Sequence, residues 1–116
     1  MNPHGLKEEN SMSKLESVFQ GELIREIEDL FPGAIILKND PNYIQGFPDL
    51  SVYYEDKYAI LEVKKAKDAP HQPNQDYYID YFSRRTFAAF IYPENKEEVL
   101  NGLQSAFRPG RKACVS

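Results

Sequence analysis

Two strand-like runs, Leu50 to Tyr54 and Tyr58 to Val63, are separated only by the polar stretch Glu55-Asp56-Lys57. Both are rich in β-branched, aromatic and aliphatic residues, so the segment predicts a β-hairpin. A hairpin decides which side chains face one another. A two-residue loop at Glu55-Asp56 pairs Tyr54 with Lys57, and counting outward pairs Asp49 with Glu62; a four-residue loop from Tyr54 to Lys57 gives the same register. Paired residues share a face with Cβ atoms roughly 5 Å apart, and the period of two within a strand adds Lys64 to the face of Glu62 while turning Val63 toward the core. A three-residue loop would set Asp49 opposite Val63 and scatter the group. Glu-Asp is not a favoured type I′ pair, so the turn alone does not choose between them.

Two carboxylates this close repel, and one takes up a proton unless a cation sits between them. Oxygen donors without histidine or cysteine suit Mg²⁺ or Mn²⁺ rather than zinc, and Mg²⁺ is usually held by one or two carboxylates, waters and phosphate oxygens. An ammonium such as that of Lys64 beside such a site can orient or help deprotonate a water and can neutralise charge on a phosphodiester. The plain alternative is an exposed hairpin, with Asp49 capping the turn after Pro48 and Glu62 and Lys64 on a solvated face. The combination of Gly-x-Pro-Asp, the acid and lysine at period-two spacing, and a register that joins them favours the site.

Gly46-Phe47-Pro48-Asp49-Leu50 and Glu62-Val63-Lys64-Lys65 resemble the motif of the PD-(D/E)-x-K nuclease superfamily. The Gly-x-Pro-Asp-Leu form is similar to the virus-type replication-repair nuclease (VRR-NUC) branch, which includes small stand-alone phage nucleases and Holliday-junction resolvase-like proteins. The resemblance spans Glu16 to about Phe107. The family order also carries an acid and a glutamine on a first helix, here Glu16 and Gln20, and a glutamine on the helix after the lysine, here Gln75 in Pro73-Asn74-Gln75. It implies Asp49, Glu62, Lys64, Glu16 and Gln75 as catalytic residues, and Mg²⁺ or Mn²⁺ held by Asp49, Glu62, the Val63 carbonyl and Glu16.

The first helix offers several acids. Met12, Leu15, Phe19, Leu23, Ile27 and Leu30 recur at helical spacing and form one apolar stripe. At about 100° per residue, Glu16 falls about 40° from the centre of that stripe, Glu22 roughly 80° away, and Glu28 on the far side. Glu26 lies about 40° off on the other flank, so periodicity does not separate it from Glu16; the family order selects Glu16. Without the resemblance, Glu16 also reads as a helix-start acid, with Ser11 or Ser13 as N-cap.

Gln75 opens a helix expected over His71 or Pro73 to Phe82. The resemblance implies contact of Gln75 with the lysine, a metal-bound water or substrate. Tyr77, Tyr78, Tyr81 and Phe82 on that helix read first as packing residues, though tyrosines also stack on unpaired bases. His71 is a lone imidazole in a proline-bounded loop with no partner visible in the sequence, and reads as a loop or surface residue.

A chain of 116 residues at 41% apolar composition can bury one core. The single cysteine, Cys114, excludes an internal disulfide. No stretch approaches the ~20 apolar residues of a membrane span, and the N-terminus shows no apolar signal-peptide core. The expectation is an intracellular, soluble protein without a membrane partner, in the host cytoplasm if phage-encoded. A net charge of −4 weakens any case for broad backbone binding. Its distribution softens the objection: acids crowd the first helix, Lys64, Lys65 and Lys67 flank the site, and a metal would cancel two acids locally. Lys65 and Lys67 are the expected DNA contacts.

The remaining chain predicts a leader over residues 1–11, a nuclease-like domain over 12–107 and a loose tail over 108–116. Within the domain, a helix runs to Leu30 and stops at Pro32-Gly33; Ala34 to Leu37 is a strand; Asn39 to Gln45 is a turn-rich loop; Thr86 to Tyr92 is a strand; and Pro93 opens a last helix to Phe107. The order αβββαβα is α/β, a mixed sheet flanked by helices, matching the restriction-endonuclease-like core that the resemblance implies. The runs Ile35 to Leu37 and Phe87 to Ile91 suit strands buried on both faces. The function expected is a metal-dependent DNA endonuclease, with branched or junction DNA as a candidate substrate; a non-specific or nicking nuclease, or an inactive binding module on the same fold, are the alternatives. Cutting both strands of a junction takes two sites, which suggests a homodimer.

Overall fold

A computed structural model describes the backbone of residues 3–108 and the side chains of 14–108. Its elements run α1 (Pro3–Leu30), β1 (Ile35–Lys38), β2 (Leu50–Tyr54), β3 (Lys57–Val63), α2 (Gln75–Ser83), β4 (Phe87–Ile91), a 3₁₀ turn (Pro93–Asn95) and α3 (Lys96–Ala106). The αβββαβα order holds. The sheet order is β1-β2-β3-β4, antiparallel from β1 to β3, and β4 joins β3 in parallel, so the sheet is mixed as expected. The parallel step needs a crossover, which α2 supplies.

Strand alternation divides the molecule into layers. Leu50 and Val52 of β2, Ala59, Leu61 and Val63 of β3 and Ile91 of β4 face one way. They pack with Leu23 and Ile27 of α1, Val99, Leu100 and Leu103 of α3, and Phe31 and Phe107. On the opposite face α2 lies against β3 and β4, and Ile60 and Ile79 are buried there. Phe47, from the loop before β2, sets its ring edge-on against Tyr78 and Phe82 of α2 at centroid distances of 5.3 and 5.7 Å.

Three expectations need correction. The first is the strand Ile35 to Leu37, expected to be buried on both faces: β1 is an edge of the sheet, and Ile35 and Leu37 are 61% and 48% exposed. β4, the other edge, is packed by α2 on one face and by the core and α3 on the other, with no residue exposed; a short apolar run does not encode its position in the pairing order. The second concerns the α1 stripe, which is core only at its centre. Leu23 and Ile27 are fully buried, whereas Leu15 and Leu30 are 68% and 39% exposed and Phe31 takes the inward place beyond the helix. A helix of 28 residues is about 42 Å long, and a seven-residue strand covers only about 23 Å, so α1 overhangs the sheet.

The third concerns the helix start. α1 begins at Pro3, so Ser11 and Ser13 fall inside it and not at its cap. Proline fits a first turn because its missing N–H has no intrahelical partner there. The side chains of residues 3–13, including Met12, lie outside the described residues, as do most of the expected tail and Cys114.

The two kinds of strand differ in a measurable way. Leu61→Ala, at a fully buried position of β3, should cost about 3 kcal/mol. Leu37→Ala, at the open edge, should stay within about 0.5 kcal/mol. Chemical denaturation of the two variants checks the contrast.

Candidate active site

The hairpin register is the one that gathers the acids. Tyr54 pairs with Lys57, Tyr53 with Tyr58 and Leu50 with Leu61, and the next step outward sets Asp49 opposite Glu62. Glu55 bends the chain with φ of 56°, an unfavoured conformation for a glutamate. The flanking strand pairs therefore hold the turn, whose own residues do not select it. The Asp49 N–H donates to Glu62 Oε1 at 3.2 Å, and the Val63 N–H donates to Asp49 Oδ2 at 2.8 Å.

The loop into β2 is fixed from two sides. The Asn39 amide donates to the Pro48 carbonyl at 2.9 Å and to Ser51 Oγ at 3.0 Å, while the Asn39 N–H donates to the Asp49 carbonyl at 2.7 Å. Gly46 takes φ of +82°, and a Cβ there would sit 2.3 Å from the Pro73 carbonyl oxygen and 2.7 Å from Asn74 Cβ. The glycine of Gly-x-Pro-Asp is thus a close-approach residue: it lets the loop that carries Asp49 lie against the turn that opens α2.

Lys64 and Gln75 complete a buried polar network with Glu62; the three are 6%, 8% and 3% exposed. Lys64 Nζ lies 3.9 Å from Glu62 Oε2 and donates to the Pro70 carbonyl at 3.1 Å and to Gln75 Oε1. Gln75 Nε2 donates to Glu62 Oε2 at 2.7 Å, and the Gln72 N–H donates to Gln75 Oε1 at 2.8 Å. Gln75 therefore ties the base and the acid together through the two ends of one amide. Among the described residues no buried side-chain nitrogen or oxygen lacks a partner.

The network lines one wall of a cleft of about 550 Å³, whose other lining residues include Glu16, Ser17, Pro41, Lys65 and Pro70. The overhang of α1 brings Glu16 there. Glu26, which periodicity left level with Glu16, instead pairs with Lys96 at 2.7 Å. Lys67 is exposed outside the lining. The Val63 side chain is in the core, as the alternation predicted. Among the described residues no three histidine, cysteine, aspartate or glutamate side chains converge into a ready-made metal cage. Glu16 shares the cleft without closing a cluster on Asp49 and Glu62.

Burial dominates the electrostatics. It raises the Glu62 pKa, with the Asp49 charge adding to it and Lys64 opposing it, from the ordinary 4.5 to about 8. Burial also raises Asp49, against the Val63 N–H, and raises Glu16, where Asp49 adds to the shift and Lys64 and Lys65 oppose it. Three carboxyls around one cleft thus all resist ionisation, the condition that a cation relieves.

The sequence reading missed Asn39, placed in a generic loop, and His71, which does have a partner: its Nδ1 lies 2.7 Å from Asp76 Oδ1. Asn39 reaches residues 9 and 12 positions away, beyond any local pattern.

Two outcomes follow from this geometry. Gly46→Ala should cost at least about 2 kcal/mol, from the positive φ and the contact with Pro73, and show as a lowered unfolding midpoint. A carboxyl whose folded pKa is raised binds more protons folded than unfolded. Stability without metal is therefore greatest below pH 4.5 as far as Glu62 is concerned, and it falls as pH rises toward about 8. Melting curves across that range in chelator should show the decline, and Glu62→Gln should flatten most of it.

No family model and no curated protein matches the sequence. A solved structure described as a VRR_NUC domain superimposes with a TM-score of 0.60 at 23% identity, over 80% of this chain and 97% of that one. The chain therefore has the fold of a VRR_NUC domain.

Proposed function

We propose that the chain is a divalent-metal-dependent DNA endonuclease that hydrolyses phosphodiester bonds. The observation that carries this reading is the network of half-buried Asp49 with buried Glu62, Lys64 and Gln75 on the wall of an open cleft, in a chain with the VRR_NUC fold. Fixing a carboxyl and an ammonium side by side out of water, with a second carboxyl against them, brings no gain to folding that apolar residues could not match. It does preorganise charge where a phosphodiester would react.

The donor set fits a hard cation: it is oxygen-only, and burial raises the pKa of both its carboxyls, a cost that a bound positive charge offsets. Asp49, Glu62 and the Val63 carbonyl would hold Mg²⁺ or Mn²⁺, with waters and phosphate oxygens completing the shell, as Mg²⁺ prefers. Such an ion supplies polarisation of the phosphoryl oxygen and a more acidic water. Lys64 keeps its ammonium at a set place, held by Gln75 and Pro70, from which it orients the attacking water and offsets charge gained by the phosphate. Gln75 orients Lys64 and Glu62 together. Glu16, across the cleft, acts on water or on the outer shell of the ion. Lys65 faces the cleft, and it and the exposed Lys67 offer the contacts to the DNA backbone. They lower the barrier that a net charge of −4 sets to binding.

The substrate we favour is branched or junction DNA, and two cuts on one junction would require a homodimer, readable by light scattering. No described helix is long and apolar enough to cross a membrane.

Supercoiled plasmid should be cleaved with Mn²⁺ or Mg²⁺ and left intact in chelator. Lys64→Ala and Asp49→Ala should each lower the rate at least ~10²-fold. Comparing junction, flap, single-stranded and linear duplex DNA then ranks substrates. Equal inertness of wild type and both variants, with DNA binding retained, would overturn the nuclease reading in favour of a binding module.

A further inference from the structure

The loop from Lys65 to Asn74 touches the network at two points, the Pro70 carbonyl on Lys64 Nζ and the Gln72 N–H on Gln75 Oε1. His71 stands between them. Pro70 and Pro73 have no N–H to give, and the backbone bonds of this stretch are local, from the Ala69 N–H to the Ala66 carbonyl and from the Gln75 N–H to the Gln72 carbonyl, both at 3.2 Å, so they do not tie it to the sheet. The side chain of His71 supplies that tie. Its ring stacks on Phe90 with centroids 4.2 Å apart and planes 19° from parallel, and its Nδ1 donates to Asp76 Oδ1 at 2.7 Å, since a carboxylate only accepts. Both anchors belong to rigid elements. Phe90 is the register partner of Glu62 across the parallel pair β3–β4, so it shares the Glu62 face, and Asp76 follows Gln75 in the first turn of α2.

We infer that His71 is a positioning residue: clamped between Phe90 and Asp76, it holds the Pro70 carbonyl and the Gln72 N–H where they set the place of Lys64 Nζ and the rotamer of Gln75. The inference rests on the nuclease reading for its kinetic consequence but not for its structural one. His71 takes no part in proton transfer here; it acts through its neighbours. Losing the ring frees the two backbone groups together, because each is one residue away. Lys64 then keeps its charge but loses its fixed direction, which is the kind of displacement that costs turnover more than binding.

The test compares His71→Ala, His71→Phe, which keeps the stack and loses the Asp76 bond, and Asp76→Ala, at an exposed position that leaves folding secure. The first readout is the ¹H–¹⁵N resonance of the Lys64 ammonium in metal-free protein, assigned by its absence from Lys64→Arg. His71→Ala should shift or broaden it; His71→Phe and Asp76→Ala should each give a part of that change. The second is plasmid cleavage with Mn²⁺, where His71→Ala should lower kcat about 10-fold with KM within about 2-fold, and His71→Phe should recover part of the loss. An unmoved Lys64 signal in all three variants overturns the clamp, as does a wild-type kcat in His71→Ala. If wild type does not cleave at all, the nuclease reading fails alone and the Lys64 signal decides the clamp. Should His71→Ala not fold, the same signal in His71→Phe and Asp76→Ala decides it.

Discussion

The pairing of β2 with β3 is the constraint on which the rest of the structure depends. With Tyr54 opposite Lys57, every later pair follows, and Asp49 and Glu62 end as neighbours at the end of the sheet where α1 overhangs. A slip of one residue would move either Leu50 and Val52 or Ala59 and Leu61 off the core face as well as dispersing the acids. The site is therefore protected by the core. The same apolar contacts that make the fold stable make the alternative register costly, and Glu55 is held at positive φ as a consequence.

Around that pairing, polar groups are gathered by elements that have their own reasons to be there. α2 is the crossover that a parallel β3–β4 step requires, and its first residue is Gln75, whose amide joins Glu62 to Lys64. The loop before β2 must pass close to the Pro73-Asn74 turn, which Gly46 permits. The loop before α2 is stacked by His71 onto the strand beside Glu62. Each contact is modest taken singly. Together they hold the buried Glu62 carboxyl and the half-buried Asp49 carboxyl, both at raised pKa, beside a buried lysine, with no buried side-chain nitrogen or oxygen left unpartnered among the described residues.

The overhang of α1 illustrates how a fold creates a site from a mismatch of lengths. Where the helix covers the sheet, Leu23 and Ile27 are core; toward its N-terminal part, Glu16 and Ser17 line a cleft instead. Glu26, inside the covered part, is drawn to Lys96 of α3. Two acids equally offset from the apolar stripe, on its opposite flanks, thus have different surroundings because they face different sides and lie at different heights along one axis.

Much of this was legible in the chain itself. The strand-favouring composition of Leu50 to Tyr54 and Tyr58 to Val63 around a polar break determined the hairpin, the period of two determined the inward face of Val63, and the order of apolar runs determined αβββαβα, because composition and side-chain period are properties of neighbouring residues. Which strands lie at the edge was not legible: Ile35 to Leu37 and Tyr58 to Val63 look alike as runs, and only the pairing order exposes one and buries the other. The partner of His71, the reach of Asn39 to Pro48 and Ser51, and the choice between Glu16 and Glu26 were likewise decided by tertiary structure. Each depends on distances across the chain, which no local periodicity encodes.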